Sequence, residues 1–262
     1  MMIRFSWGEE MADRIRMWAA LVCVGFLAAC AGPVPKIDAK GGSLAKIRTI
    51  DVIRPRELHG YQVMYFGNPG VVFGLVGGLA AAADQVSKTE RLSKELNKQG
   101  VSITSELADD VSADLNKMGY VAKVENGPWE RHQDGKYELA FDKIKSDADA
   151  VLVLTPTIVG FVAPSSLSDY LPTITTVATL VGKDRTEQLY RGYHASGWEP
   201  KAGGWKDTPA KKTFPNFDAL MANPRACVAS LNDAAAAIAD SVTSDLKRQS
   251  SAVAESAVAT PQ

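Results

Sequence analysis

Two segments of the chain carry apolar residues at every third or fourth position, which is the spacing of an amphipathic α-helix. The first follows Ser102 and ends near Gly119, and its apolar stripe comprises Ile103, Leu107, Val111, Leu115 and Met118. The second runs from about Pro224 to Arg248, with the stripe Val228, Leu231, Ala235, Ile238, Val242 and Leu246. We expect both helices to cover one face of a β-sheet.

Short segments rich in β-branched and apolar residues predict the strands of that sheet. They are Lys46–Ile53, Tyr61–Phe66, Tyr120–Val124, Val151–Val162, Thr173–Val181 and Glu187–Ala195. Pro156 should bend the fourth strand, and Gly182–Arg185 marks a hairpin between the last two. Helices are also expected over Asp84–Lys98 and Lys136–Lys145. This order predicts an α/β fold, an α+β sandwich in which a mixed sheet of about five strands packs against amphipathic helices.

The amino terminus has the pattern of an export signal. Arg14 and Arg16 precede an uncharged run from Met17 to Ala29, whose 13 residues are too few to span a bilayer. The run ends in Leu27, Ala28, Ala29 and Cys30, which resembles the lipobox of bacterial lipoproteins. Glu9 and Glu10 are unusual in such a signal, so Met11 is the expected start.

The lipobox resemblance implies cleavage before Cys30, attachment of diacylglycerol to its thiol, and acylation of the new amino group by a fatty acid such as palmitate. Ala31, where an aspartate would imply inner-membrane retention, implies transfer to the outer membrane. We therefore expect a signal peptide over residues 1–29, a lipidated tether over 30–43, a periplasmic domain over 44–248 and a disordered tail over 249–262.

Composition and charge remove several classes of function. The chain of 262 residues has 29 basic and 30 acidic residues, so it lacks the excess of positive charge that nucleic-acid binding requires. Three cysteines cannot form a disulfide framework, and Cys227 alone would keep a free thiol after export. We expect no nucleic-acid partner. The expected membrane contact is through Cys30.

The residues that would carry catalysis do not form known motifs. Gly74, Gly77 and Gly78 lack the lysine that follows in a phosphate-binding loop, and His59, His132 and His194 do not have the spacing of a zinc hydrolase. Cys227 lies beside a predicted helix stripe, where a buried thiol is commoner than a nucleophile. The sequence therefore predicts no catalytic residue, no metal and no cofactor, and the protein is not expected to be an enzyme.

Two features rise above this background. Trp198 and Trp205 lie in a glycine-rich loop, where they could form an aromatic platform for a ligand or fold back over the sheet. Small residues also recur at every fourth position within the apolar segment Gly70–Ala83, at Gly70, Gly74, Gly78 and Ala82. On a helix they share one face, which permits close packing within the domain, against another subunit or at a membrane.

The segments SDADAVLVLTPTIVG and TTVATLVGKDRTEQLYRGYHASG, followed by the last amphipathic helix, resemble the α/β domains of small envelope lipoproteins. The amino-terminal domain of TolB and the curli-secretion lipoprotein family share this layout. The resemblance implies this fold. Because the chain also carries a lipobox pattern and no catalytic motif, we expect a non-enzymatic accessory or assembly component of the envelope, with an envelope protein or a second copy as partner. The alternatives are an oligomeric secretion or pore-associated lipoprotein that uses Gly70–Ala83, and a peptidoglycan-binding module of the cell wall.

Overall fold

The computed structural model describes residues 34–57, 60–66, 74–131, 137–200 and 204–248, with the backbone alone at residues 41 and 74–81. The strands are β1 (Thr49–Arg54), β2 (Gln62–Tyr65), β3 (Val121–Asn126), β4 (Trp129–Arg131), β5 (Tyr137–Leu139), β6 (Ala150–Ala163), β7 (Leu171–Gly182), β8 (Gln188–Ser196) and β9 (Lys206–Thr208). The helices are α1 (Gly41–Leu44), α2 (Gly74–Asn97), α3 (Ile103–Lys117), α4 (Phe217–Ala222) and α5 (Pro224–Asp245). These elements confirm the predicted α/β fold class.

Seven strands form one mixed sheet in the order β3-β1-β6-β7-β8-β9, with β2 also paired to β6. β1 and β2 both run parallel to β6, β1 beside its first half and β2 beside its second. The β6–β7 and β7–β8 pairs are antiparallel, as the hairpin signal predicts for the second pair. The predicted mixed sheet is thus confirmed, with β9 and the short β3 at its edges.

The long central strand β6 is interrupted at its proline. The register with β7 shifts between Pro156 and Ile158, because proline has no N–H to donate to the neighbouring strand. The irregularity confirms the predicted interruption.

The helices pack on one face of the sheet. Ile50 and Val52 of β1 point to this face, and the predicted stripes of α3 and α5 meet them in the main core. Ser102 caps α3 by accepting a hydrogen bond from the Ser105 N–H at 3.2 Å. The buried positions of α3 and α5 therefore follow the apolar periodicity in the sequence.

The opposite face carries a smaller cluster formed by Ile53, Leu139, Val151, Val153 and Val181. The antiparallel pair β4–β5 covers part of it, with Trp129 opposite Leu139. The prediction of a helix over Lys136–Lys145 is wrong. Within that range, Tyr137–Leu139 is a strand and Phe141–Lys143 a single 3-10 turn, because pairing with β4 and burial of Leu139 override a weak helical pattern.

The domain contacts the chain before residue 44. The Ile37 N–H donates to the Arg191 carbonyl at 3.0 Å, and the Arg191 N–H donates to the Ile37 carbonyl at 2.8 Å. Short helix α1 follows, and Leu44 is buried. Part of the predicted tether, residues 30–43, is therefore attached to β8. The predicted signal peptide and tail lie outside the described residues.

Candidate functional site

The predicted site residues are only partly within the described chain. Leu27, Ala28, Ala29, Cys30 and Gly70 lie outside it. Gly74 and Gly78 lie in the first two turns of α2, where only the backbone is described, and Ala82 is exposed. No helix in the described part of the chain is long and apolar enough to cross a membrane. The contact expected of the small-residue face stays a prediction.

The two tryptophans pack against different aromatic rings. Trp198 stacks on Phe66 with ring centroids 4.6 Å apart and an angle of 19° between the planes. Trp205 meets Tyr193 edge to face at 5.3 Å. Both tryptophans are half-buried, so each retains some exposed surface. A ligand platform at Trp198 and Trp205 stays a prediction.

Trp198→Ala is expected to lower the free energy of unfolding by about 1–2 kcal/mol, less than a fully buried aromatic, because the ring is half-buried and stacked on one partner. Urea denaturation measures the loss. Phe66→Ala should cost less in the Trp198→Ala background than in the wild type, because the stacked pair is already broken. Unchanged stability in Trp198→Ala would show that the ring is free to meet a ligand.

A network of buried polar side chains joins β8 to the last two turns of α5. Strand alternation places Tyr190, Gly192 and His194 on one side of β8, and helical spacing places Ser241 and Asp245 one turn apart. The Tyr190 hydroxyl lies 2.6 Å from His194 Nε2, and His194 Nδ1 lies 2.8 Å from Ser241 Oγ. The sheet and the helix therefore meet through hydrogen bonds as well as apolar contacts.

The partners determine where the protons lie in this network. The Tyr190 hydroxyl donates to Asp245 Oδ2 at 3.0 Å, so Nε2 of His194 must donate to the Tyr190 oxygen. Nδ1 then accepts from the Ser241 hydroxyl. Lys206 pairs with the other Asp245 oxygen. Every polar group has a partner when His194 is neutral.

Burial keeps the network in that protonation state at neutral pH. His194 has no exposed surface, and burial lowers the pKa of its imidazole to about 4. Burial and the adjacent Asp245 carboxylate raise the pKa of the Tyr190 phenol. Both nitrogens of His194 are occupied and the ring is enclosed, so the arrangement stabilises the domain and offers no base to an external substrate.

Cys227 is a buried thiol. Its Sγ donates to the Leu220 carbonyl at 3.4 Å, and burial raises the pKa of the thiol to about 12. The thiolate needed for nucleophilic attack is therefore not populated at neutral pH. His59 and His132 lie outside the described residues, and within those residues no group of three or more His, Cys, Asp or Glu side chains could hold a metal ion.

An open cleft of about 530 Å³ lies where β2 and β6 end and β7 begins, lined by Tyr65, Lys88, Arg91, Tyr170 and Phe217 among others. The Arg91 guanidinium lies 5.1 Å from the Phe217 ring centroid. Lys88 Nζ is 2.7 Å from Asp84 Oδ2 and 5.1 Å from the Tyr65 ring. The charged groups of two cationic side chains thus lie near aromatic rings at this end of the sheet.

Sequence reasoning missed the Tyr190 network, although a signal was present. Residues 190, 192 and 194 alternate on a predicted strand, and a glycine between two polar residues leaves room for their side chains to meet. The partners on α5 could not be assigned from the sequence. The strand and the helix residues that meet are 47 positions apart, and neither segment indicates which residue of the other it contacts.

No protein-family model and no curated protein matches the chain. Several solved structures are similar to it, including the following three. A PelC dodecamer from Paraburkholderia phytofirmans is 10% identical, with a TM-score of 0.33, and the match covers 82% of this chain and 96% of that one. Lipoprotein GNA1162 from Neisseria meningitidis is 18% identical, with a TM-score of 0.26 and coverage of 56% and 81%. Protein XCC0632 from Xanthomonas campestris, of the family model DUF330, is 10% identical, with a TM-score of 0.33 and coverage of 81% and 97%. At these identities and TM-scores, the three structures do not establish a family for the chain.

Proposed function

We propose that the protein is a bacterial lipoprotein, anchored to the periplasmic face of the outer membrane by acylated Cys30, and that it serves as a non-enzymatic accessory or assembly component of the envelope. The observation that carries the proposal is the sequence Leu27-Ala28-Ala29-Cys30 after a basic residue pair and a short apolar run. A thiol at the cleavage site is the group that lipid attachment requires.

The attachment of Ile37 to β8 agrees with this role. Ile37 pairs with Arg191, and only six residues lie between Cys30 and Ile37. A fully extended segment of that length reaches at most about 25 Å. An anchor at Cys30 would therefore keep β8 close to the membrane surface. The domain would act as a membrane-proximal platform, with little freedom to reach distant partners.

The states of the buried groups support a role in binding or assembly. Burial keeps Cys227 as a thiol and His194 as an enclosed neutral imidazole, so neither supplies a nucleophile or a base. Two alternatives remain within the envelope. A defined assembly in sedimentation would favour the oligomeric secretion or pore-associated lipoprotein that uses Gly70–Ala83. Co-sedimentation with peptidoglycan would favour the cell-wall module.

Cys30→Ser is expected to abolish lipid attachment, because a hydroxyl cannot replace the thiol that accepts diacylglycerol. Cells labelled with radioactive palmitate should show label in the wild-type protein and none in the variant, and the variant should keep its signal peptide. Cys23→Ser, which changes a cysteine inside the apolar run, is the matched control and should be labelled normally. Equal labelling of Cys30→Ser and wild type would refute the anchor.

A further inference from the structure

A second open cleft lies on the sheet face that the helices leave uncovered. It has a volume of about 650 Å³ and lies between β1, β3 and the segment that precedes β6. Apolar Val121 and Ile144 and polar Thr49 and Ser146 are among its lining residues, together with Asp51. A cleft of this size matches the pockets that hold small molecules.

Asp51 is a buried carboxylate with an unused acceptor. It lies on β1 between Lys123 of β3 and Val151 of β6, and its side chain is 2% exposed. Its Oδ2 atom has no hydrogen-bond partner among the described residues. A carboxylate oxygen without a donor in such a position is costly, and native proteins rarely leave one unless another group occupies the place.

Lys123 forms a long ion pair with Oδ1 of this carboxylate and leaves Oδ2 without a donor among the described residues. Its Nζ lies 3.7 Å from Asp51 Oδ1, beyond hydrogen-bond distance, and 2.7 Å from Glu125 Oε1. The Lys123 side chain is 65% exposed, and Glu125 is the nearer of its two acidic partners. Oδ2 of Asp51 lacks a donor whichever way Lys123 points. The atom is itself buried, so an ammonium group bound in the cleft must displace neighbouring side chains to donate to it.

We propose that this cleft binds a small primary amine, in its ammonium form, with Asp51 as the counter-ion. The ammonium group donates to Asp51 Oδ2, a charge-assisted hydrogen bond, and a short apolar stem lies against Ile144 and Val121. An anion is disfavoured because the buried group it would meet is a carboxylate, and the exposed Lys145 of the lining is offset by the exposed Asp147. The inference goes beyond the proposed envelope role and does not depend on Cys30.

Saturation-transfer NMR with the full-length protein in mild detergent tests the proposal, with butylammonium, butanol and butyrate as matched probes. Butylammonium should give transfer signals, and the neutral and anionic probes should not. Asp51→Asn keeps the shape of the side chain but loses its charge, and it should weaken butylammonium binding about tenfold or more. Equal signals from the three probes, or unchanged affinity in Asp51→Asn, would overturn the proposal.

Lys123→Met tests whether Asp51 belongs to a ligand site or is a buried acid that binds no ligand. The substitution removes the nearest competing cation and leaves the exposed position covered by an apolar stem. Butylammonium should then bind the variant more tightly than the wild type and raise its melting temperature more, whereas butanol should raise neither. A Lys123→Met protein that binds butylammonium no better than the wild type would show that Asp51 does not face the ligand.

Discussion

Gly192→Ala is expected to lower the free energy of unfolding by about 3–5 kcal/mol, from overpacking together with the loss of buried hydrogen bonds. A Cβ atom at this position would lie 1.9 Å from the Tyr190 hydroxyl oxygen and 2.5 Å from His194 Nε2. Tyr190 is only 1% exposed, so its ring cannot swing into solvent. To relieve the contact, the hydroxyl must leave His194 and Asp245, and their polar atoms then lose a buried partner.

Gly182→Ala is the matched control for this substitution. Gly182 lies at the end of β7, and the nearest atom to an added Cβ is Asp184 Oδ1 at 3.7 Å, an ordinary contact. Urea denaturation should therefore place Gly182→Ala within about 0.5 kcal/mol of the wild type. The comparison removes the general effect of exchanging glycine for alanine in a strand.

A double mutant assigns the Gly192→Ala loss to the hydroxyl. Tyr190→Phe removes the oxygen atom nearest to the added Cβ, so the two substitutions together should cost less than the sum of their separate effects. Strict additivity, or a Gly192→Ala protein as stable as Gly182→Ala, would show that the Tyr190 hydroxyl does not occupy the space above residue 192.

The elements that could be predicted from the sequence are those whose pattern is local. The stripes of α3 and α5 follow the helical period, and the β7–β8 hairpin lies on either side of Gly182–Arg185. Pro156 interrupts β6 because proline itself has no backbone N–H to donate. In each case, periodicity or the covalent structure of a residue decides the conformation before any distant contact forms.

The parts that sequence reasoning missed depend on contacts between distant segments. β5 forms because it pairs with β4 and because Leu139 is buried against the sheet. Ile37, which lies in the predicted tether, pairs with the backbone of β8. In the sequence, Asp51 is one polar residue within a predicted strand, and no local pattern indicates that it is buried. Its place in a cleft follows from the pairing of β1 with β3 and β6 and from the segment around Ile144, about 90 residues later, none of which a local pattern indicates.

We expect the free energy of unfolding to fall by about 3 kcal/mol through His194 alone when the pH is lowered from 7 to 4. The difference between the pKa of His194 in the unfolded chain and in the folded chain sets the size of this fall. In the folded protein, burial lowers the pKa of His194 from 6.5 to about 4. Between these values the unfolded chain binds a proton that the folded chain does not, so acid favours unfolding. Well above pH 6.5 the histidine is neutral in both states and the contribution is constant.

The charged groups around His194 shift its pKa in both directions, and none of them outweighs the lowering by burial. Asp245 favours the imidazolium, whereas Lys206 and Lys36 oppose it, and desolvation is the largest influence on the pKa. Tyr190 stays protonated throughout the range because its pKa is raised. The free energy of unfolding should therefore fall mainly between pH 6.5 and 4, the two pKa values of His194.

His194→Gln provides the measurement that isolates this group. The glutamine amide can still donate to Tyr190 but leaves the Ser241 hydroxyl without its acceptor at the Nδ1 position, so the variant should be less stable at pH 7. Because the amide cannot titrate, the stability of the variant should also depend less on pH. Urea denaturation at several pH values from 7 to 4 should show the two proteins converging as the pH falls. The carboxylates that titrate in the same range are shared, so they cancel in the difference between the two curves. Parallel curves would mean that His194 has the same pKa in the folded and unfolded chains. They would contradict the conclusion that the imidazole between β8 and α5 is enclosed and neutral.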